Sequence, residues 1–481
     1  LSMKILKNYL YNVAYQLFAI IVPVITTPYI TRVLGTKGVG VNAYTNSIIQ
    51  YFVLAGSIGI SLYGNRIIAY ERDDRSKMSQ TFWSLQIVRI FAILVAYAAF
   101  LIFLFLSHGY RLAYISQSIQ IIAVAFDISW LFMGLEDFRR TVIRNFIVKL
   151  FSTIAIFTFV RDSGDTLLYI TILSLSFLIG NISLWTHLNQ VVDVPAFRQL
   201  TFTKHIKGSF FLFIPQISMQ IYLVLNKTML GNMKGVVSVG FYENSDKIVR
   251  ILLTVITAIT TVMMPRMANT FIHKQYQKLN SYLYETIDFV SCVSVLMTAV
   301  LAGVAPTFSI WFMGDSFAAT GPLIAVLSLV GPIIAWSTVF GSQFLVTTGR
   351  EHQFTVAVTA GAFVNLIANL FLIPPFGAMG AVIATVIAET LITVVDVWFA
   401  GAYIPLKPVV QEKWKYVFAG ILAFFATRFL NTSMPGNFIS LGVQALAGTI
   451  IYLSVCVVLN TSFTTSAFKR VVHFIQIRRN Q

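Results

Sequence analysis

The feature that most constrains this chain is a long series of apolar segments separated by short polar connections. A helix needs ~20 apolar residues to cross the hydrocarbon core of a bilayer. Hydrophobic residues make up 57% of the chain and charged residues 11%, against about 25% charged residues in an ordinary soluble protein. We therefore predict an all-α polytopic membrane protein and exclude a string of soluble domains. Fourteen transmembrane helices are predicted near residues 9–32, 41–62, 81–106, 112–134, 141–160, 166–187, 209–230, 238–264, 281–305, 318–346, 354–374, 377–400, 414–430 and 437–459.

Lysine and arginine are distributed unevenly among the connections. The formal net charge is +16, and the cations concentrate in every second connection, as in residues 66–77, 139–144 and 204–207. Connections rich in lysine and arginine stay on the cytoplasmic side of a membrane. We therefore predict that both termini are cytoplasmic. No connection is long enough to fold as a domain, so the function is expected to lie in the helices.

Two parts of the sequence resemble each other in parallel order. Near the first two helices the chain reads VPVITTPYITRVLGTKGVGVNAYTNSI, and near the seventh and eighth it reads IPQISMQIYLVLNKTMLGNMKGVVSVGFYENSDKI. Pro23 matches Pro215, and Asn46 matches Asn244. A parallel repeat predicts a pseudo-two-fold axis along the membrane normal, with chance similarity of apolar segments as the alternative. The predicted organisation is an N-lobe at 1–190, a C-lobe at 191–400, and a C-terminal helix pair with a cytoplasmic tail at 401–481.

Charged residues inside the predicted helices are the candidates for chemistry, because a charge in the bilayer interior normally faces a cavity or a partner. On the eighth helix Glu243 and Asp246 alternate with Lys247 and Arg250 along one stripe, since residues three and four apart share a helix face. The stripe predicts a cationic cavity between the lobes for an anionic ligand such as a phosphate. The candidate substrate-binding residues are Arg32, Arg89, Lys149, Lys227, Asn46, Asn244, Lys247 and Arg250.

Structural alternatives stand beside each of these roles. The four charges of the stripe could only neutralise one another, Arg89 could form a structural pair with Asp127, and Lys149 could extend to the interface. The carboxylates that are candidates for ion coupling, with ordinary structural pairing as the alternative, are Asp127, Asp288, Glu389 and Asp396. The candidate hinges, with static kinks as the alternative, are Pro23, Pro28 and Pro215, because proline frees backbone carbonyls and permits bending.

Several kinds of site are not expected. The sequence contains no G-x-x-x-x-G-K-[ST] loop, the phosphate cradle of many ATP-binding proteins. All six histidines lie in predicted loops or at interfaces, which argues against a buried metal centre or histidine proton relay. Nothing resembles a nucleophile elbow. We therefore expect neither an enzyme nor a cofactor, no metal, and no nucleic-acid partner.

Several segments carry a resemblance to a known family. The opening NYLYNVAYQLFAIIVPVITTPYITRVLG and the segments GISLYGNRIIA, DISWLFMGLEDFRRTVIRNFIVKL and VMMPRMAN resemble polysaccharide flippases of the Wzx type. These belong to the multidrug/oligosaccharidyl-lipid/polysaccharide exporter superfamily, and the similarity runs through essentially the whole chain. The resemblance implies a MATE-like fold and alternating access in the bacterial cytoplasmic membrane. It also implies transfer of an undecaprenyl-pyrophosphate-linked oligosaccharide repeat unit to the outer leaflet for capsule or exopolysaccharide synthesis.

Two other functions stand as alternatives. An ion-coupled multidrug exporter of the same superfamily would require an acidic cavity for cationic substrates. The cations of the stripe on the eighth helix disfavour this function. An integral membrane polysaccharide polymerase or ligase would require a long external loop with catalytic side chains, and none is present in the sequence. A polymerase and glycosyltransferases of the same pathway are instead expected as possible partners.

Overall fold

The computed structural model describes the backbone of residues 3–464 except 197 and 199. It describes the side chains of the same residues except 3–17, 19, 210–219, 221–223 and 258–262. The described chain is built from α-helices, and no β-strand occurs in it. This confirms the predicted all-α class. The chain divides into two compact units, Leu1–Gly240 and Phe241–Gln481. The lobe boundaries at 190 and 400 stay a prediction.

The helices of the first unit follow the predicted apolar segments closely. The helix at Phe138–Phe159, for example, corresponds to the fifth predicted segment at 141–160. The bounds are α1 Met3–Ser57, α2 Ile60–Glu71, α3 Arg75–Leu106, α4 Arg111–Ala125, α5 Ser129–Gly134, α6 Phe138–Phe159, α7 Thr166–Ser183, a 3-10 helix Leu184–Gln190, and α8 Thr203–Lys234, with α9 Val236–Ile272 beginning in this unit.

The first unit contains two sharp breaks, and both occur at glycine. Gly35 interrupts α1 with φ 64° and ψ −175°, and Gly235 separates α8 from α9 with φ 82° and ψ 170°. Only glycine adopts such a backbone conformation readily, because it has no Cβ. The two positions lie 200 residues apart, each between the two helices that carry one part of the predicted repeat. The repeat itself stays a prediction.

The second unit completes the helical series. One feature departs from the regular pattern, because the predicted tenth helix consists of two α-helical pieces followed by a π-helix. The bounds are α10 Tyr276–Met313, α11 Thr320–Leu327, α12 Val330–Ser337, the π-helix Thr338–Val346, α13 Glu351–Phe376, α14 Ala378–Gly401, α15 Lys407–Val410, α16 Lys413–Ser433 and α17 Phe438–Val458.

The distribution of polar and apolar side chains is that of a membrane protein. Large apolar residues such as Phe105, Phe151 and Trp398 are exposed, whereas Arg89 and Asn365 are fully buried. Exposure of a phenylalanine to lipid costs no free energy, whereas a polar group without a hydrogen-bond partner in lipid is costly. Ten stretches of the described residues are long and apolar enough to cross a membrane. The multi-pass architecture is thus confirmed, and the number of fourteen spans is consistent with it.

Candidate functional site

The charged stripe of α9 consists of two ion pairs. Lys247 Nζ lies 3.3 Å from Glu243 Oε1, and Arg250 Nε lies 2.7 Å from Asp246 Oδ2. The exposed fractions differ within each pair, because the carboxylates are 14% exposed while Lys247 and Arg250 are 37% and 50% exposed. The mutual pairing expected from helix spacing is present. The cations nevertheless present accessible donors.

Asn46 belongs to a chain of polar side chains in the first unit. Gln50 Nε2 donates to Asn46 Oδ1 at 3.5 Å and to Gln120 Oε1 at 3.3 Å, and Gln120 donates to Ser174 at 3.3 Å. The chain connects α1, α4 and α7. Its amide and hydroxyl groups are partly buried, and neutral groups of this kind suit hydrogen bonding to sugar hydroxyls.

Lys227 lies on α8 beside the contact of that helix with α1. Thr228 hydrogen-bonds Ser47 at 3.0 Å, and Tyr44 donates to Asn232 Oδ1 at 2.5 Å. Lys227 and Asn46 are the sequence neighbours of the Ser47–Thr228 pair, and both are partly buried. The structure thus brings these two predicted residues into the same packed region of the first unit.

Arg89 is the most deeply buried of the predicted cations, with 0% exposure. Its guanidinium donates to the main-chain carbonyl of Asp127 and to Ser61 Oγ, and it lies 5.9 Å from the ring of Trp130. The predicted association with Asp127 therefore exists, but it runs through the backbone. The Asp127 carboxylate accepts instead from the amide of Ser129 at 3.0 Å, at the start of α5. Both residues have structural roles in this conformation.

The remaining cations lie on the surface or near it. Arg32 is exposed on α1, and its Nη1 donates to the carbonyl of Pro28 at 3.0 Å. Lys149 is partly buried in α6.

Asn244 is buried in the second unit. Two residues before it on α9, Tyr242 hydrogen-bonds Thr385 at 3.2 Å.

The candidate carboxylates of the second unit occupy different environments. Asp288 on α10 contacts Lys413 Nζ at 2.5 Å and accepts from Tyr416 at 2.9 Å, so it joins α10 to α16. Asp396 on α14 is fully buried and accepts from Ser337 at 2.7 Å. Its other oxygen, Oδ1, has no hydrogen-bond partner among the described residues. Glu389 is partly buried two turns earlier on the same helix.

The predicted hinges and the observed breaks do not coincide. Pro23 and Pro28 lie inside α1 without interrupting its helical backbone, whereas Gly35 does interrupt it. The side chain of Pro215 lies outside the described residues. The break at Gly35 could not be predicted from the sequence. A glycine at a helix break and a glycine at a close helix contact look alike in the sequence, and only the backbone φ value separates them. The proline hinges stay a prediction.

Two further glycines bring backbones together within the first unit. A Cβ on Gly240 would lie 2.6 Å from the carbonyl oxygen of Thr36, and a Cβ on Gly40 would overlap the carbonyl oxygen of Val236. The two contacts are reciprocal, because each partner is displaced by 200 residues. Such a self-complementary arrangement is what a two-fold relation produces.

The comparisons with known proteins agree with this architecture. The family model described as "Polysaccharide biosynthesis protein" matches residues 5–271. The chain belongs to the polysaccharide biosynthesis protein family. A relative from Escherichia coli (strain K12), named "Putative O-antigen transporter", is 22% identical over 400 residues, which are 82% of this chain and 95% of the relative. The family membership expected from the sequence segments is therefore confirmed.

Solved structures show the fold. The chain resembles the lipid II flippase MurJ in an inward closed conformation, with a TM-score of 0.72, 16% identity, and coverage of 96% of this chain and 99% of that one. An inward-facing multidrug-resistance MATE family transporter gives a TM-score of 0.63 at 13% identity, covering 79% and 94% of the two chains. The MATE-like fold predicted from the sequence is confirmed.

Proposed function

We propose that this protein is a flippase. It moves a polyprenyl-pyrophosphate-linked oligosaccharide from the cytoplasmic to the outer leaflet of a bacterial cytoplasmic membrane by alternating access, for synthesis of capsule or exopolysaccharide. The family membership and the O-antigen transporter of Escherichia coli support the transport of such a lipid. The prediction that both termini are cytoplasmic is part of this proposal.

The single observation that carries the proposal is the α9 stripe. Its carboxylates are mostly buried and its cations are accessible, so an approaching ligand meets Lys247 and Arg250 first. A pyrophosphate can accept charge-assisted hydrogen bonds from both groups, and the carboxylates hold the cations in place. A cationic drug would meet repulsion at the stripe, which disfavours a multidrug exporter.

The proposal is tested by translocation in proteoliposomes. A radiolabelled polyprenyl-pyrophosphate oligosaccharide is placed in both leaflets, and the fraction accessible to an external glycosidase is followed with time. We expect Lys247→Ala/Arg250→Ala to lose at least about tenfold in rate, as expected when two charge-assisted bonds are lost. Arg250→Lys keeps the charge and is expected to retain part of the rate. A fully active double variant would contradict the proposal.

We also propose that Asp396 couples transport to an ion gradient. Its support is a fully buried carboxyl group, one oxygen of which has no hydrogen-bond partner in the part of the chain that the structure describes. It packs against a π-helix, an irregularity found frequently at functional sites. A Cβ at Gly341 of the π-helix would lie 2.8 Å from Asp396 Oδ2, so the helix approaches the carboxyl group closely. Asp396→Asn should abolish the dependence of flipping on a proton or sodium gradient, whereas Asp127→Asn should leave it unchanged.

A further inference from the structure

A cavity of about 980 Å³ lies on the first unit between α6, α7 and the 3-10 helix that follows α7. Its volume is at the upper end of the range for pockets that bind small molecules. All of its lining residues lie between 137 and 190. None of the substrate-binding residues predicted from the sequence lines it, so it is separate from the proposed site on α9.

One end of this cavity carries a strong positive charge. Arg139, Arg140 and Arg144 line it together with His187, and Asp137 is the one carboxylate among its lining residues. The two other acidic residues of the adjoining loops are engaged elsewhere. Glu136 pairs with Arg72 at 2.8 Å, and Asp193 pairs with Arg75 at 2.7 Å.

Two of these guanidinium groups are held in place by neutral side chains. Arg144 Nη1 donates to Asn181 Oδ1 at 2.7 Å, and Asn181 in turn donates to the carbonyl of Ala123 at 2.8 Å. Arg140 Nη2 donates to Gln190 at 3.0 Å. An amide acceptor orients a cation without cancelling its charge. The cavity therefore keeps an excess of positive charge that a bound anion would balance.

Arg140 adds a second observation. Its Nε pairs with Asp137 at 2.9 Å, and its guanidinium lies 5.4 Å from the ring of Phe132. Its Nη1 is buried and has no hydrogen-bond partner among the described residues. A buried donor without a partner is costly, and an anionic oxygen at the cationic end of the cavity would satisfy it.

The α6 side of the cavity wall beyond the arginines is apolar. Ile143, Ile147 and Phe151 follow one another at four-residue intervals on α6 and therefore form one stripe about 12 Å long, at 1.5 Å per residue. Ile179 of α7 lines the same cavity. Phe151 and Ile179 are 66% and 61% exposed. A cationic end continuous with an exposed apolar wall matches the shape of a lipid with an anionic head and a hydrocarbon chain.

We propose that this cavity binds an anionic glycerophospholipid of the cytoplasmic leaflet. Its phosphate lies between Arg140 and Arg144, and one acyl chain lies along Ile143, Ile147 and Phe151. Basic pockets between membrane helices on the cytoplasmic side bind phosphate-bearing lipid heads in this manner. Most of the uncharged polar side chains of the lining already hydrogen-bond Arg140, one another or main-chain carbonyls. This leaves little for an oligosaccharide to bind and favours a bilayer lipid over the transported one. The bound lipid anchors the α6–α7 pair and makes folding stability depend on lipid charge.

Native mass spectrometry of the purified full-length chain tests this binding. The probes are phosphatidylglycerol, phosphatidylcholine and polyprenyl pyrophosphate, each added alone. We expect wild type to retain phosphatidylglycerol at least about tenfold more strongly than phosphatidylcholine, and Arg140→Gln/Arg144→Gln to lose this preference. Arg66→Gln/Arg266→Gln is the matched control, since it removes two exposed arginines that do not line the cavity, and it should keep the preference.

A photo-crosslink makes the test independent of the stability of the arginine variants. Replacement of Phe151 by p-benzoylphenylalanine places a reactive ketone on the exposed apolar wall. Irradiation in membranes should give an adduct with the mass of an anionic glycerophospholipid. An adduct with a polyprenyl lipid, equal adducts with phosphatidylcholine, or unchanged phosphatidylglycerol binding by a folded double variant would each overturn the proposal. Absence of flipping by the wild-type protein in proteoliposomes, with this adduct still formed, would count against the proposed function and leave the lipid site intact.

Discussion

The α9 stripe and the α10–α16 contact use the same kinds of side chain in opposite ways. On α9 the carboxylates are buried and their cationic partners are 37% and 50% exposed. Between α10 and α16, Asp288 and Lys413 are both 12% exposed and are 125 residues apart. The first arrangement leaves charge available to a ligand, and the second uses charge to join two helices. The two contacts therefore differ in whether the cation stays accessible.

The largest effect on stability is expected at the buried pair. Lys413→Ala leaves Asp288 as an uncompensated charge between α10 and α16, and breaking such a pair costs about 3–5 kcal/mol. Thermal unfolding in detergent, followed by tryptophan fluorescence, measures the loss. The double variant Lys413→Met/Asp288→Leu should recover most of it, because no charge then remains unpaired. A Lys413→Ala variant as stable as wild type would show that the Asp288–Lys413 pair does not stabilise the contact between α10 and α16.

Asp396 is an intermediate case, because it is buried like Asp288 but has a serine as its hydrogen-bond partner. Asp396→Asn keeps the shape of the side chain and leaves no cation behind, so its melting temperature should equal or exceed that of wild type. Asp288→Asn, the matched control, should melt earlier because Lys413 loses its counter-ion. The same melting shift in both variants would show that Asp396 also has a structural charge partner.

A smaller effect on stability, with a large effect on transport, is expected on α9. Arg250→Lys should change the free energy of unfolding by less than about 1 kcal/mol, because the lysine keeps an accessible cation beside the mostly buried Asp246 carboxylate. The flipping rate should fall severalfold in the same variant. Comparison of melting temperature and proteoliposome activity in one preparation separates the two roles. A large loss of stability with normal flipping would assign the stripe to structure.

The smallest effect is expected at the fully exposed pair of Arg75 and Asp193. Arg75 donates twice to this carboxylate, at 2.7 and 2.8 Å, and these hydrogen bonds hold the pKa of Asp193 below its ordinary value. The pair therefore stabilises the folded protein at neutral pH, and this stabilisation is lost as the pH falls through the lowered pKa of Asp193. Arg75→Gln should leave the melting temperature at pH 7 indistinguishable from that of wild type. A clear decrease would mean that solvent screens this pair less than its exposure implies.

The helix positions and the pairing on α9 could be predicted from the sequence, because both depend on local spacing. Residues four apart meet on any helix, so Lys247 and Glu243 required no knowledge of the fold. The partner of Arg89 could not be predicted in the same way. Its acceptor is a main-chain carbonyl at Asp127, which becomes available only because α4 ends at Ala125. The cavity on α6 also escaped prediction, since Arg140 and Arg144 were assigned to the cytoplasmic charge excess.

Sequence alone determined that this protein lies in a membrane and that it is helical, because apolar segment length and periodicity are properties of the chain itself. Tertiary structure decided which charges are spent on packing and which remain accessible. Asp288 and Lys413 meet only when α10 packs on α16, and the arginines at the start of α6 form a cavity only when α7 lies beside them. Burial and partnership depend on neighbours distant in the sequence, and no local pattern specifies them.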